Sequence, residues 1–167
     1  MKVDLDSDYE KARSRALRLL TVRGRSREEL RGRLMAAGFS DLISEQVASR
    51  LADVGLIDDH AFAKDLVERG RLKGLASSAV RRDLLVKKVP SEVIESVLAG
   101  YGSQDKARAL EIAARKVKSL EHLDPSVAYR RLSGFLGSRG FDAEIVSETC
   151  RQTLAGDLSV PECAECD

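Results

Sequence analysis

Apolar residues recur along this chain in a pattern that repeats about every fifty residues. In each copy, one apolar pair spaced four residues apart is followed by a second such pair, and the first pair is predicted to lie on one face of an α-helix. A fixed period of this length is typical of helical-repeat proteins, in which neighbouring units share their apolar faces. The three copies are Leu30, Leu34, Phe39 and Ile43, then Val80, Leu84, Val89 and Val93, then Leu132, Leu136, Phe141 and Ile145.

Residues typical of helix ends divide each copy into three helices. Ser26 and Glu29 fit a capping box, in which both side chains bind free amides at a helix start. Gly38 suits the end of that helix, because glycine adopts positive φ without strain. Asp58 is predicted to cap the first helix of the second copy, and Asp124, followed by proline, the middle helix of the third.

We therefore predict an all-α fold of three tandem three-helix repeats, forming an elongated, curved array. In the second repeat, the first buried pair is predicted at Phe62 and Leu66. In the third, Ala107, Leu110 and Ala114 are predicted to face inward. The predicted boundaries are an acidic N-terminal tail at 1–10, repeats at 11–57, 58–102 and 103–155, and an acidic C-terminal tail at 156–167.

Composition agrees with a helical, strongly hydrated chain. Of the 167 residues, 33% are charged and 4% are aromatic, so Leu, Val, Ile and Ala must form the core. The first ten residues are acidic and lack the apolar segment of a secretory signal. No apolar run reaches the roughly 18 residues that a membrane span needs. We expect a cytoplasmic monomer.

The formal net charge of +1 hides a regular distribution of charge. Residues 11–35 hold nine basic and two acidic side chains, while 64–88 and 106–139 each hold eight basic and three acidic ones. The segments between them are acidic. Three basic clusters at matching places in a repeat favour binding to phosphates or to an acidic protein surface.

Residues suited to catalysis are scarce. His60 and His122 lie in different repeats without partners at metal-ligand spacing, and no glycine-rich phosphate loop is present. Cys163 and Cys166 form a CxxC in the acidic tail, where the four ligands of a zinc site are lacking. We expect no catalytic residue, no cofactor and no metal.

Three segments resemble the RecX family, the regulatory proteins of the RecA recombinase. Residues 54–63 (VGLIDDHAFA) are similar to its GLIDD..FA signature, and residues 130–141 (RRLSGFLGSRGF) to its RRL.GFL.RRGF segment. Residues 71–74 (RLKG) resemble the basic turn that precedes the middle helix of the second unit. The resemblance covers about residues 12–155, and Lys88 departs from it at a place where glycine is common.

The resemblance implies three tandem three-helix repeats and a regulatory function without enzymatic activity. Such a protein binds the filament of RecA on single-stranded DNA and inhibits its growth, ATPase, strand exchange and co-protease activity. The implied partners are therefore RecA and single-stranded DNA, the DNA either within the filament or bound directly. The candidate contact residues, chosen from the resembling segments and from charge, are Arg25, Arg31, Lys73, Arg81, Arg82, Arg130, Arg131 and Arg139.

Two alternatives remain open at this point. One is a stand-alone, sequence-tolerant DNA-binding helical module, which would bind DNA tightly without the recombinase. The other is an adaptor for an acidic protein, whose association would not depend on DNA. End-capping of the filament and binding along its groove are equally compatible with the sequence.

Overall fold

The computed structural model describes residues 5–155, and within them every regular element is a helix. The predicted all-α repeat fold is confirmed. One short 3-10 turn spans Gly102–Gln104. The helices are α1 (Leu5–Val22), α2 (Arg27–Met35), α3 (Asp41–Asp53), α4 (Asp59–Leu72), α5 (Ser77–Val86), α6 (Ser91–Leu98), α7 (Asp105–Val117), α8 (Pro125–Gly137) and α9 (Ala143–Leu154).

The helices belong to two compact units, each formed by two segments of the chain. One unit holds the chain up to Leu66 together with Asp83–Val97, and the other holds Val67–Arg82 together with the chain from Leu98 onward. Both α4 and α5 therefore contribute residues to each unit. Residues 58–102 are divided between the two units.

The core of the first unit lies between α1, α2 and α3. Ala12 and Ala16 of α1 are fully buried, and their small side chains allow α1 to approach the other two helices closely. From the repeating pattern, Leu30 and Leu34 are fully buried and Ile43 nearly so. The apolar pairs thus face the interior as the spacing predicted.

The core of the other unit lies between α7, α8 and α9. Leu132 and Leu136 are fully buried there, in the positions that Leu30 and Leu34 occupy in the first unit. In α9, Thr149 and Thr153 are buried where α3 has Val47 and Leu51. The Thr153 hydroxyl donates a hydrogen bond to the Thr149 carbonyl (2.7 Å), which satisfies this buried donor within the helix.

The predicted buried face was wrong in α7, and in α6 it was displaced by one residue. Val93 is half-buried, while the fully packed pair of α6 is Ile94 and Leu98. Val93 and Val97, both half-buried, have the same four-residue spacing as Ile94 and Leu98, so periodicity alone does not distinguish the two pairs, and packing buries the bulkier side chains. In α7 the buried residues include Ala109, Ile112 and Ala113 rather than the predicted Ala107, Leu110 and Ala114.

In α4 the predicted pair, Phe62 and Leu66, is only half-buried, and Ala63 is buried instead.

The first helix begins earlier than predicted. Residues 5–10, assigned to an acidic tail from the sequence, form the first turns of α1. Asp6 and Asp8 lie in its first turn, where carboxylates interact favourably with the helix dipole. The predicted acidic C-terminal tail, with Cys163 and Cys166, lies outside the described residues.

Within the first unit, the start of α2 is held by residues from the following repeat. The backbone amide of Arg27 donates to the Asp59 carboxylate (2.8 Å), at the start of α4. The Ser26 hydroxyl accepts from the Glu29 amide (3.1 Å), as predicted, and donates to the Lys87 carbonyl (2.5 Å). Adjacent Asp58 caps its own helix through the amides of residues 60 and 61. The two acids of the GLIDD segment therefore cap two different helices.

The start of α5 is held in the same way within the second unit. Its Ser77 amide donates to both oxygens of Asp105 (3.1 Å each), the first residue of α7. The Ala76 amide donates to the Arg139 carbonyl (3.0 Å), and the Ser78 hydroxyl donates to the Gly140 carbonyl (2.5 Å). In each case, a middle helix begins against a carboxylate and a turn supplied by the next repeat.

Lys88 adopts the backbone conformation that glycine adopts in the other two repeats. Its φ is 56°, and the corresponding Gly38 and Gly140 have φ of 94° and 87°. An L-residue in this region is strained by about 1–2 kcal/mol, because its Cβ crowds the backbone. The departure noted in the sequence is therefore a site of backbone strain.

Lys88→Gly is expected to raise the free energy of unfolding by about 0.5–1 kcal/mol, since relief of strain exceeds the greater chain entropy of glycine. Thermal unfolding followed by circular dichroism measures the change. Lys88→Ala removes the same side chain but keeps its Cβ, so it should give no gain. Equal stabilisation by both substitutions would contradict this account.

Asp59→Ala is expected to lower the free energy of unfolding by about 1 kcal/mol, because the α2 amide that it caps loses its partner. Chemical denaturation provides the measurement. Asp53→Ala removes a carboxylate from the exposed end of α3 and serves as the matched control. A loss at Asp59 no greater than that at Asp53 would show that the contact contributes nothing.

Candidate nucleic-acid interface

Two predicted contact residues in the first unit are engaged in ion pairs. Arg25 is only 8% exposed, and its guanidinium donates to the Glu29 carboxylate (Nη1 to Oε1, 2.7 Å) and to the Leu19 carbonyl (3.3 Å). Arg31 is half-buried and pairs with Glu28 (2.8 Å) and Asp41 (2.6 Å). Carboxylates within the unit therefore already compensate both positive charges.

Glu29 is the centre of this buried charge cluster. Its carboxylate binds the guanidinium groups of both Arg23 and Arg25. Burial by itself raises the pKa of Glu29, but the hydrogen bonds and charges of Arg23 and Arg25 outweigh it and leave the pKa below its usual value. The predicted capping box is thus only half formed, because Glu29 turns to the arginines.

The candidates on α5 and α8 differ in exposure. Arg82, Arg130 and Arg131 are exposed, and none has a carboxylate within ion-pair distance in the described part of the chain. Arg81 is half-buried and has an interaction partner within the protein. Exposed, uncompensated arginines remain available to phosphates.

The remaining two candidates, Lys73 and Arg139, lie together in the second unit. They line a pocket of about 350 Å³ between the end of α4, α7 and the end of α8. We call it the Phe135 pocket. Its lining residues are Leu72, Lys73, Gly74, Ile112, Arg115, Lys116, Phe135 and Arg139.

A tight turn after α4 places Lys73 at the pocket. The Leu75 amide donates to the Gly70 carbonyl and the Gly74 amide to the Arg71 carbonyl (2.9 Å each), which is a Schellman motif. Gly74 has φ of 65°, and a Cβ on it would lie 2.8 Å from Cγ2 of Ile112. Glycine is therefore required both by the turn and by its close approach to α7.

The aromatic ring of Phe135 organises the cations of the pocket. The Arg139 guanidinium lies 3.7 Å from the ring centroid and donates to the Phe135 carbonyl (3.3 Å). The Lys116 ammonium lies 5.6 Å from the same centroid. Both distances are within the range of cation–π attraction.

Three of the four cations in the Phe135 pocket lack a carboxylate partner among residues 5–155. Arg115 pairs with Glu111 (3.1 Å), but Lys73, Lys116 and Arg139 have no such partner among the described residues. Stacking on a ring attracts a cation without removing its charge. The pocket is therefore suited to an anionic ligand.

A larger neighbouring pocket of about 710 Å³ in the same unit has more of its charge compensated. It shares Leu72, Gly74, Ile112 and Arg115 with the Phe135 pocket. Its Arg108 is buried, pairs with Asp105 (2.5 Å), donates to the Tyr101 carbonyl (2.9 Å) and stacks on the Tyr101 ring at 3.9 Å. Its Arg71 pairs with Glu68 (2.8 Å). The Phe135 pocket therefore has more uncompensated positive charge than the larger pocket and is better suited to an anion.

Sequence reasoning identified two of the residues that form the Phe135 pocket and missed the others that matter. Phe135 lies within the quoted 130–141 segment, and Arg115 and Lys116 lie within the third basic cluster. The spacing of Phe135 and Arg139, four residues apart, is one signal of a possible contact. No comparable local pattern in the sequence indicates that α7 and the α4–α5 turn lie close to Phe135.

The fold and this site define an all-α repeat protein that carries a cationic pocket. The chain also belongs to the RecX family. Residues 12–51 match the family model described as "RecX, first three-helix domain", and residues 104–149 match "RecX, third three-helix domain". The first match falls on α1–α3 and the second on α7–α9. The family resemblance noted in the sequence is confirmed.

Relatives and solved structures agree with this assignment. "Regulatory protein RecX" of Mycobacterium avium is 40% identical over 155 residues, covering 90% of this chain and 89% of that protein. The protein of the same name from Prosthecochloris aestuarii is 39% identical, with 89% and 95% covered. A crystal structure of RecX from Lactobacillus salivarius, 18% identical, has the same fold with a TM-score of 0.72, covering 89% of this chain and 97% of that one.

The relatives carry the names of regulatory proteins, which agrees with the expected class of function. Within residues 5–155, no helix is both long and apolar enough to cross a membrane.

Glu29→Gln is expected to lower the free energy of unfolding at pH 7 by about 3 kcal/mol, because Arg25 is left buried without its counter-charge. The lowered pKa of Glu29 means that its contribution is present above pH 4.5, its ordinary pKa, and is lost as the pH falls further. The difference between wild type and variant should therefore shrink in acid, as measured by denaturant unfolding from pH 7 to pH 3.

Glu28→Gln is the matched control for this prediction. Glu28 is the adjacent residue, half-exposed in its pair with Arg31, so the loss at pH 7 should stay below about 1 kcal/mol. A Glu29 variant whose deficit did not change with pH would show that the ionised carboxylate is not what stabilises the fold.

Proposed function

We propose that this chain binds the filament of RecA on single-stranded DNA and inhibits its growth, ATPase, strand exchange and co-protease activity. Membership of the RecX family and the resemblance of residues 54–63 and 130–141 support the choice of partner. The single observation that favours the contact is the group of three uncompensated cations at the Phe135 pocket.

The proposed contact surface includes five of the sequence candidates. These residues have no carboxylate partner in the described part of the chain: Lys73, Arg82, Arg130, Arg131 and Arg139. For Arg25 and Arg31 we propose a structural role, because binding a phosphate would break ion pairs within the first unit.

Inhibition follows from preferential binding to one state of the filament. Weak contacts made by several repeats add through effective concentration when the partner is itself periodic. A protein that binds an inactive arrangement more tightly shifts the filament toward it without catalysing any reaction. As part of this proposal, the protein acts in the cytoplasm as a monomer and needs no cofactor.

The first test is the rate of ATP hydrolysis by the matching RecA on single-stranded DNA, with this protein present well below the recombinase concentration. Marked slowing is the expected result and would favour end-capping, because few molecules would be acting on many protomers. Slowing only near equal concentration would favour binding along the groove. No slowing at equal concentration would overturn the proposal and leave a DNA-binding module or an adaptor.

A charge reversal locates the contact. Lys73→Glu is expected to raise the concentration needed for half-maximal inhibition about ten-fold, because an attractive contact with phosphate becomes repulsive. Lys64→Glu makes the same change on the exposed surface of α4, outside the proposed surface, and is expected to leave inhibition unchanged. Equal effects of the two variants would show that only net charge matters.

A further inference from the structure

We propose that the Phe135 pocket holds one nucleotide of a single DNA strand, with the base stacked on the Arg139 guanidinium and the phosphate bound by Lys73 and Lys116. This inference rests on the proposed function, and it adds that the chain contacts the DNA strand directly and at a defined site. It also predicts a preference for single strands over duplex.

The first argument is the arrangement of Arg139. Its guanidinium is fixed by the ring of Phe135, 3.7 Å from the centroid, and by the hydrogen bond to the Phe135 carbonyl (3.3 Å). Because the ring covers one face of this planar cation, a ligand in the pocket meets its other face or its N–H edge. A guanidinium plane held in this way is a platform on which unstacked bases pack.

The second argument is the position of the two lysines around that platform. The Lys116 ammonium lies 5.6 Å from the centroid of the Phe135 ring, and Lys73 lines the same pocket from the α4–α5 turn. Neither has a carboxylate partner among the described residues. A lysine ammonium binds phosphate as a point charge and tolerates several geometries, which suits a flexible strand.

The third argument is the size and the apolar part of the pocket. Its volume of about 350 Å³ lies at the lower end of the ~300–1,000 Å³ typical of ligand pockets, and is suited to a single nucleotide. Leu72, 78% exposed, and Ile112 supply apolar surface against a base or sugar. Bases inside a duplex are stacked on each other and cannot reach a platform of this kind, whereas those of a single strand can.

The test uses the full chain, without recombinase, and a fifteen-residue thymidine oligonucleotide with 2-aminopurine at its centre. Fluorescence anisotropy of an end label reports affinity, and quenching of 2-aminopurine reports stacking. Arg139→Lys keeps the charge but removes the plane. It is expected to weaken binding about five- to thirty-fold and to relieve the quenching, with an unchanged salt dependence.

Variants of the lysines test the phosphate contacts separately. Lys73→Gln and Lys116→Gln should each reduce the slope of log affinity against log salt by about 0.7 and leave the quenching in place. The matched control for Arg139→Lys is Arg151→Lys, the same charge-conserving change at an exposed residue of α9 outside the pocket. Phe135→Tyr keeps the ring and should retain both affinity and quenching, which separates stacking from a general loss of structure.

Three results would overturn the inference. They are wild-type affinity and quenching in Arg139→Lys, equally tight binding of a duplex of the same length, and loss of RecA inhibition in Arg139→Lys without any change in oligonucleotide binding. The last result would mean that the pocket contacts the recombinase. If the oligonucleotide results hold while wild type fails to slow RecA, the nucleotide site stands and the proposed function fails.

Discussion

The fold depends on capping of the first two middle helices, α2 and α5, by the repeat that follows each of them. The free amides at a helix start are costly to leave unsatisfied, and here a carboxylate from the next repeat satisfies one of them. Asp59 does so for α2 within the first unit, and Asp105 does so for α5 within the second. These bonds join residues of successive repeats, and each compact unit contains residues of more than one repeat.

Basic residues of this chain lie in two different environments, which their neighbours determine. Arg25 and Arg31 meet carboxylates and stabilise the first unit, whereas Arg139 meets an aromatic ring and keeps its charge available. Counting charges along the sequence treats the three alike. The difference arises in part from partners distant in sequence, such as Asp41 beside Arg31, which only folding brings within 2.6 Å. A cluster of arginines in a sequence therefore indicates binding only after its internal carboxylates have been accounted for.

Features controlled by local chemistry could be predicted from the sequence. Ser26, Asp58 and Asp124 cap helices as expected, because a cap requires only the few residues around it. The buried pairs of α2 and α8 were also correct, since each helix contains only two leucines and these lie four residues apart. The register of α6 and the assembly of the Phe135 pocket could not be predicted, because two faces of α6 have equal spacing and the pocket needs three segments to meet. Lys88 lay between these cases: the sequence marked the turn as unusual, and the structure shows the positive φ.

Arg139 connects the scaffold with the candidate site. Its backbone carbonyl accepts the hydrogen bond from Ala76 that fixes the start of α5, while its side chain stacks on Phe135. The adjacent Gly140 allows this contact, because a Cβ there would lie 2.7 Å from Cβ of Ala79. The geometry of the pocket therefore depends on the same contact between repeats that completes the fold of the second unit. A ligand that binds only the assembled pocket must in turn stabilise that contact, since binding to the folded state alone shifts the folding equilibrium toward it. In this architecture, contact with a partner and integrity of the repeat array are thermodynamically linked.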